Sequence, residues 1–245
     1  MASSNHAADK IAQAIIARKA LPLMPTLATL NDGYGLQKSI TAQINGQTVI
    51  GLKAGISSRA EQKHFGLEAS LIASLYERGY LQNGCEIKVA PEQNLECEIG
   101  VCVNGQGQPK GIFPVVEVVR LSFSKPEDLS LANAVAVNLG ADRFICGDML
   151  PWDEAVADIE INMTKDGVNL MTASNDYALG APINCAKWMI NEARRRGLWQ
   201  ESEKDSLLLL GTCGQAQPAQ AGTYCIDYGA LGGIEFSISA MEPGE

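Results

Sequence analysis

Apolar residues open the chain at helical spacing. Ile11, Ala14, Ile15 and Ala20 recur on one face of a 3.6-residue period, and Pro22 and Pro25 then interrupt it. Thr29, Asn31 and Asp32 offer caps to a second helix carrying Tyr34, Leu36 and Ile40. The pattern predicts a two-helix N-terminal segment over residues 1–46. From Gln47 onward, short β-rich runs punctuated by Gly, Asn and Pro read as strands over 48–52, 95–103, 113–119, 143–146, 158–163, 207–210, 222–228 and 233–238. Asn104–Gly105 and Asp166–Gly167 are tight-turn signals, the second joining two hairpin strands. Long helices are expected only at 126–137 and 182–196. The latter ends in Arg194, Arg195 and Arg196 and then Gly197, cations that favour a helix C-terminus before a residue suited to the position beyond it. Many strands with few helices predict an α+β protein whose residues 47–245 form a mixed, mainly β domain.

Composition narrows the classes of function. With 46% hydrophobic residues in 245, the chain can bury a full core. Its formal charge is -9 and no dense run of Lys and Arg occurs, which disfavours nucleic acid and anionic membrane surfaces as partners. An anionic small molecule stays open, because a bound divalent cation reverses the local field. No segment approaches the ~20 apolar residues of a membrane helix, and residues 11–16 are too short for a signal-peptide core. The expected location is the cytosol. Seven scattered cysteines without a Cys-x-x-Cys fit buried thiols better than disulfides or a zinc site.

The chemistry centres on acids. In Asn94-Leu95-Glu96-Cys97-Glu98-Ile99-Gly100, period-2 alternation puts Glu96 and Glu98 on one face. They fit a solvated strand face, or a pair of ligands for a hard divalent ion such as Mg²⁺. Glu117 lies in the otherwise apolar run 113–119, where an unpaired carboxylate is costly to bury. It is either an edge residue facing water or a third ligand of the same ion. Lys53 sits where a strand enters a small-residue turn, as a surface residue or beside the acids, stabilising a developing enolate or a bound carboxylate. His64 is either a general acid or base or a residue of a helix surface, as its neighbours Lys63 and Phe65 suggest, and the three tryptophans read as packing residues.

These pieces also occur in a familiar order. Gly51-Leu52-Lys53-Ala54-Gly55-Ile56-Ser57-Ser58 with Gln62 and Gly66, Leu95-Glu96-Cys97-Glu98-Ile99-Gly100, and Pro114-Val115-Val116-Glu117-Val118-Val119 resemble segments of the fumarylacetoacetate-hydrolase superfamily. So do Asp128 with Leu131-Ala132-Asn133-Ala134, Ala178-Leu179-Gly180-Ala181-Pro182, Leu210-Gly211-Thr212 and Leu231-Gly232-Gly233-Ile234-Glu235-Phe236. The similarity spans nearly the whole chain and is greatest to the 2-hydroxypenta-2,4-dienoate hydratase and 4-oxalocrotonate decarboxylase branch. It implies a mixed β-roll-like fold with flanking helices, Mg²⁺ or Mn²⁺ at Glu96, Glu98 and Glu117, and a cytoplasmic homo-oligomer. It further implies Lys53 as catalytic, Ser57, Asn133 and Thr212 as substrate-binding, and a keto acid as substrate, handled through a metal-stabilised enolate. Hydration is the leading reaction; decarboxylation, C–C hydrolysis, tautomerisation or a non-catalytic partner role are the rivals.

Three departures stand out. Arg120, Leu121 and Ser122 follow the third glutamate where the family has Asp-Ser-Arg. Leu71 falls where hydratases place an acid. The span between Glu98 and Glu117 is short, as if a helix were lost.

Overall fold

The computed structural model describes residues 2–44, 48–88, 90, 92–153 and 159–240. In chain order these form α1 (Ala2–Ile16), α2 (Leu30–Gln43), β1 (Val49–Gly55), α3 (Arg59–Phe65), β2 (Leu71–Tyr76), β3 (Tyr80–Gln82), β4 (Glu86–Lys88), β5 (Gln93–Val103), β6 (Pro109–Arg120), α4 (Leu131–Ala136), β7 (Ala141–Cys146), β8 (Leu150–Pro151), β9 (Glu160–Lys165), β10 (Val168–Ser174), α5 (Pro182–Arg196), β11 (Ser206–Thr212), β12 (Gln217–Pro218), β13 (Gly222–Asp227) and β14 (Gly233–Ser239). The expected change of texture at residue 47 and the start of the strand expected at 158–163 lie outside the described residues.

Two sheets organise the chain. One orders its strands β2-β1-β11-β5-β6-β7-β3, with β12 added to β5 and β8 to β6; the other runs β10-β9-β13-β14-β4. This is the mixed α+β architecture expected. The long β5–β6 hairpin is its spine, paired from Gln93 against Arg120 to Val103 against Pro109. The Asn104 side chain closes the hairpin by accepting from the Gln106 and Gln108 amides. Alternation along β5 decides what each face meets. Leu95, Cys97, Ile99 and Val101 join the main core with Ile161, Met163, Tyr224 and Ile234 of the second sheet and Met189 of α5. Each fully buried side chain of this size contributes about 1.5–3 kcal/mol. The opposite face turns inward, where Cys102, Phe113 and Val115 pack with Phe144 and Leu209.

The helices follow local rules. Thr29 caps α2 in a reciprocal box with Asp32, and Gly197 ends α5 in the left-handed conformation. α1 and α2 bury Ile11 and Ile40 against Tyr76 of β2 and Val137 beyond α4. The long helix expected at 126–137 is not formed. A 3₁₀ turn at Pro126–Asp128 precedes the short α4, capped by Ser130. Asn138, Leu139 and Gly140 then all take positive φ, so the chain cannot continue as a right-handed helix. β2 does not stand out in the sequence, because its mainly apolar run, interrupted only by Ser74 and buried throughout, lacks the alternation of a half-buried strand. No helix among the described residues is long and apolar enough to cross a membrane.

Candidate metal centre

Glu96 and Glu117 are direct cross-strand partners in the β5–β6 ladder. Glu98, two residues along β5, shares their face, and one carboxylate oxygen from each of the three lies within 4.8 Å of the others. Glu98 and Glu117 are fully buried. At that separation and an effective dielectric near 20, each like-charged pair repels by about 3–4 kcal/mol. One cation is present: Lys53 Nζ lies 2.7 Å from Glu117 Oε2. One lysine against three carboxyl groups leaves the cluster short of positive charge, and Glu98 Oε1 and Glu117 Oε1 find no hydrogen-bond partner among the described residues. Excess charge and unpaired oxygens in one place match a hard divalent ion that binds through carboxylate oxygens. The residues present therefore fit the metal that the sequence led us to expect.

Titration follows from this crowding. Burial pushes the Glu98 carboxyl well above its ordinary range, and the neighbouring Glu117 charge adds to the rise. Burial likewise raises Glu117, to about 7, although the Lys53 ammonium opposes the shift. Burial pulls Lys53 down, but the three glutamates outweigh it and hold the group above its usual value. Lys53 is a buried ammonium.

Backbone geometry sets these side chains. β1 runs parallel to β11, whose other neighbour is β5, so Lys53 reaches inward across the curled sheet from a strand not adjacent to β6. Its ammonium also donates to Leu139 O at 3.4 Å. That carbonyl belongs to the left-handed turn at 138–140, which Asn138 pins by accepting from Ser74 N at 2.9 Å and donating to Ser74 O at 2.6 Å. β11 supplies the remaining contacts. Gly211 N donates to Glu98 Oε2 at 2.9 Å, and Thr212 Oγ1 donates to Glu96 Oε2 at 2.7 Å. Gly211 has φ +106, and a Cβ there would fall onto Ser57 Oγ, so glycine is required twice over.

A cavity of about 510 Å³ opens from this centre, walled by Lys53, Glu96 and Thr212 at the charged end and by Leu121, Leu129 and Phe65 among its apolar residues. Ile56 and Leu139, both in the wall, have positive φ. Bulky side chains rarely accept that conformation, and such strain of about 1–3 kcal/mol per residue gathers at working sites.

The residues expected to act are only partly brought together. Lys53, Glu96, Glu98, Glu117 and Thr212 converge. Ser57 is buried beneath Gly211, and its Oγ has no partner among the described residues. Asn133 is not in the cavity wall: its amide donates to Asp128 O at 2.7 Å and braces the segment whose Ser130, Leu131 and Ala134 are. Thr212 spends its hydroxyl proton on Glu96. Leu71 is buried in β2 opposite Gly55, and His64 is exposed on α3 beside Phe65. Sequence reading missed Glu61, Phe65, Leu121, Leu129 and Leu139 as wall residues. Only tertiary packing aims them at one space.

No family model matches the chain. It is 24% identical over 212 aligned positions to a 2-keto-4-pentenoate hydratase of Paraburkholderia phymatum, covering 80% of each chain. It is 22% identical to a 4-oxalocrotonate decarboxylase of a Pseudomonas species, covering 95% of this chain and 96% of that one. Among solved structures, the 4-oxalocrotonate decarboxylase of Pseudomonas putida G7, with magnesium and adipate, superposes with a TM-score of 0.84 at 21% identity, covering 97% of each chain. The fumarylpyruvate hydrolase of Pseudomonas aeruginosa, with Mn²⁺ and pyruvate, gives 0.58 at 11% identity, covering 80% of this chain and 93% of that one. In sequence the chain is similar to 2-keto-4-pentenoate hydratases and 4-oxalocrotonate decarboxylases, and its fold is the one seen in the solved 4-oxalocrotonate decarboxylase and fumarylpyruvate hydrolase.

Proposed function

We propose that the chain is a metal-dependent lyase of the hydratase type, acting on a short 2-oxo or 2-hydroxy-dienoic acid. One observation carries this reading: Glu96 faces Glu117 across a ladder with Glu98 beside them, in a buried site holding a single lysine. Glu96, Glu98 and Glu117 would hold Mg²⁺, with Mn²⁺ the second choice. When bound, that ion supplies Lewis acidity toward an oxo group. The chain's own groups do the rest. Thr212 and the Gly211 amide hold two carboxylates in fixed orientation. The Lys53 ammonium, anchored by Glu117 and Leu139 O, stands ready to balance negative charge that develops on a substrate oxygen. Ser57 remains a candidate contact for the substrate, and Asn133 acts through the wall segment that it braces.

Loss of CO₂ is the second reading, because a decarboxylase relative aligns over 95% of the chain and the same charge-stabilising centre serves both reactions. Mass spectrometry of products from 2-hydroxypenta-2,4-dienoate and from 4-oxalocrotonate, with and without Mg²⁺, separates them: a gain of 18 mass units marks hydration and a loss of 44 marks decarboxylation. Turnover of neither acid with Mg²⁺ would leave the role of non-catalytic partner. The reading includes a homo-oligomer in the cytoplasm, which light scattering and cell fractionation test.

A further inference from the structure

Resting on the oxo-acid reading above, we infer that the substrate carries an uncharged apolar tail longer than that of a five-carbon dienoate, and that Leu121, Leu129 and Phe65 select it. The two ends of the cavity differ in kind. At the metal end stand Lys53, Glu96 and Thr212; the rest of the wall includes Phe65, Leu121, Leu129 and Leu131, of which Phe65 and Leu129 are exposed. Leu129 and Phe65 are 60% and 46% exposed, and they belong to segments far apart in sequence that border the same space. A tail lying between them removes both from water. The volume of about 510 Å³ falls within the range that encloses ligands well above five carbons.

Charge excludes the other class of tail. The charged residues of the wall are Lys53, Glu96 and Glu61. Lys53 stands at the metal end with Glu96 and Thr212, where the oxo-acid end of the substrate would meet it. Glu61 is an acid, its Oε2 already accepting from Ser58 N and Ser58 Oγ. Arg120 precedes Leu121 but donates from its guanidinium to Lys19 O, and neither Arg59 nor Lys63 of α3 forms part of the wall. A second carboxylate would enter an apolar space beside Glu61 without a counter-charge, which is strongly unfavourable.

Calorimetric titration of the Mg²⁺-loaded full chain with pyruvate, 2-oxopentanoate, 2-oxohexanoate, 2-oxooctanoate and 2-oxohexanedioate tests this. Affinity should rise about fourfold per added methylene, the value for burying one such group. The dicarboxylate should bind at least tenfold more weakly than 2-oxohexanoate. Leu129→Lys alters an exposed position, so the fold is retained, as a circular-dichroism melt checks; it should flatten the chain-length series and strengthen dicarboxylate binding. A flat wild-type series, a preference for the dicarboxylate, or a Leu129→Lys series like that of wild type overturns the inference and leaves the oxo-acid reading standing. Failure of every acid, pyruvate included, to bind in the presence of Mg²⁺ overturns both.

Discussion

The inward face of the β5–β6 hairpin carries two buried surfaces of opposite character. At one end Phe113 and Val115 pack with Cys102, Phe144, Cys146 and Leu209. Two residues beyond Val115, Glu117 meets Glu96 with Glu98 alongside. Burial is nearly complete at both ends, since Phe113, Val115, Glu98 and Glu117 are each 1% exposed or less. The strands and the face are shared, and Glu96 alone of these residues borders the cavity; what differs most is the chemistry of the side chains. The apolar end stabilises the fold by leaving water. The acidic end opposes folding unless a cation joins it, so its composition is explained by binding and not by stability.

Substitutions should separate the two ends. The largest effect is expected for Glu98→Gln, an isosteric change that removes a ligand charge. Mg²⁺ affinity should fall by more than about 100-fold, beyond the loss that an outer-shell partner causes, and metal-dependent turnover should vanish. The melting temperature of the metal-free protein should hold or rise, because repulsion is relieved. A large drop in melting temperature without loss of Mg²⁺ binding would reverse the assignment of the two ends.

Phe113→Ala probes the apolar end. Denaturant unfolding should show a loss of about 3–5 kcal/mol, the usual range for emptying a buried aromatic site, with Mg²⁺ affinity within about twofold of wild type. If metal affinity fell as far as in Glu98→Gln, the two ends would not be separable.

Thr212→Val is predicted to have a smaller effect. It leaves Glu96 in place but removes the hydroxyl that orients it, and should weaken Mg²⁺ binding by about tenfold in calorimetry. No change would mean that Thr212 serves some group other than Glu96.

The smallest effect concerns pH. Glu117 titrates near 7 in the folded chain, against about 4.5 when unfolded, so the metal-free fold retains a proton that the unfolded chain releases between those values. Its contribution to stability is complete below about pH 4.5 and is lost as pH rises through 7. Unfolding in chelator at pH 5 and pH 7.5 should show wild type losing more stability, or gaining less, than Glu117→Gln over that interval. Equal changes in the two proteins would contradict the shift.

Part of this contrast was legible before any coordinates. Period-2 alternation alone put Glu96 and Glu98 on one face, and the cost of burying an acid singled out Glu117. The hairpin turn at Asn104 then made the register of those strands simple. Other features depend on forces that sequence spacing does not encode. Lys53 comes from a strand two places from β5 and reaches the acids only because the sheet curls. The left-handed run Asn138-Leu139-Gly140 turned a carbonyl toward Lys53; its one local hint is an asparagine ahead of a glycine. Asn133 lay in a recognisable motif, yet its amide proved to brace a loop. The wall residues Phe65, Leu121 and Leu129 look in sequence like ordinary surface or core leucines and phenylalanine, and only the arrangement of α3 beside the segment before α4 gives them a common cavity.

The most direct test is anomalous diffraction from crystals grown with Mn²⁺. A single strong peak about 2.1 Å from carboxylate oxygens of Glu96, Glu98 and Glu117 together, absent from Glu98→Gln crystals, is the predicted result. No peak among these residues, or a peak bound by other side chains, would contradict it.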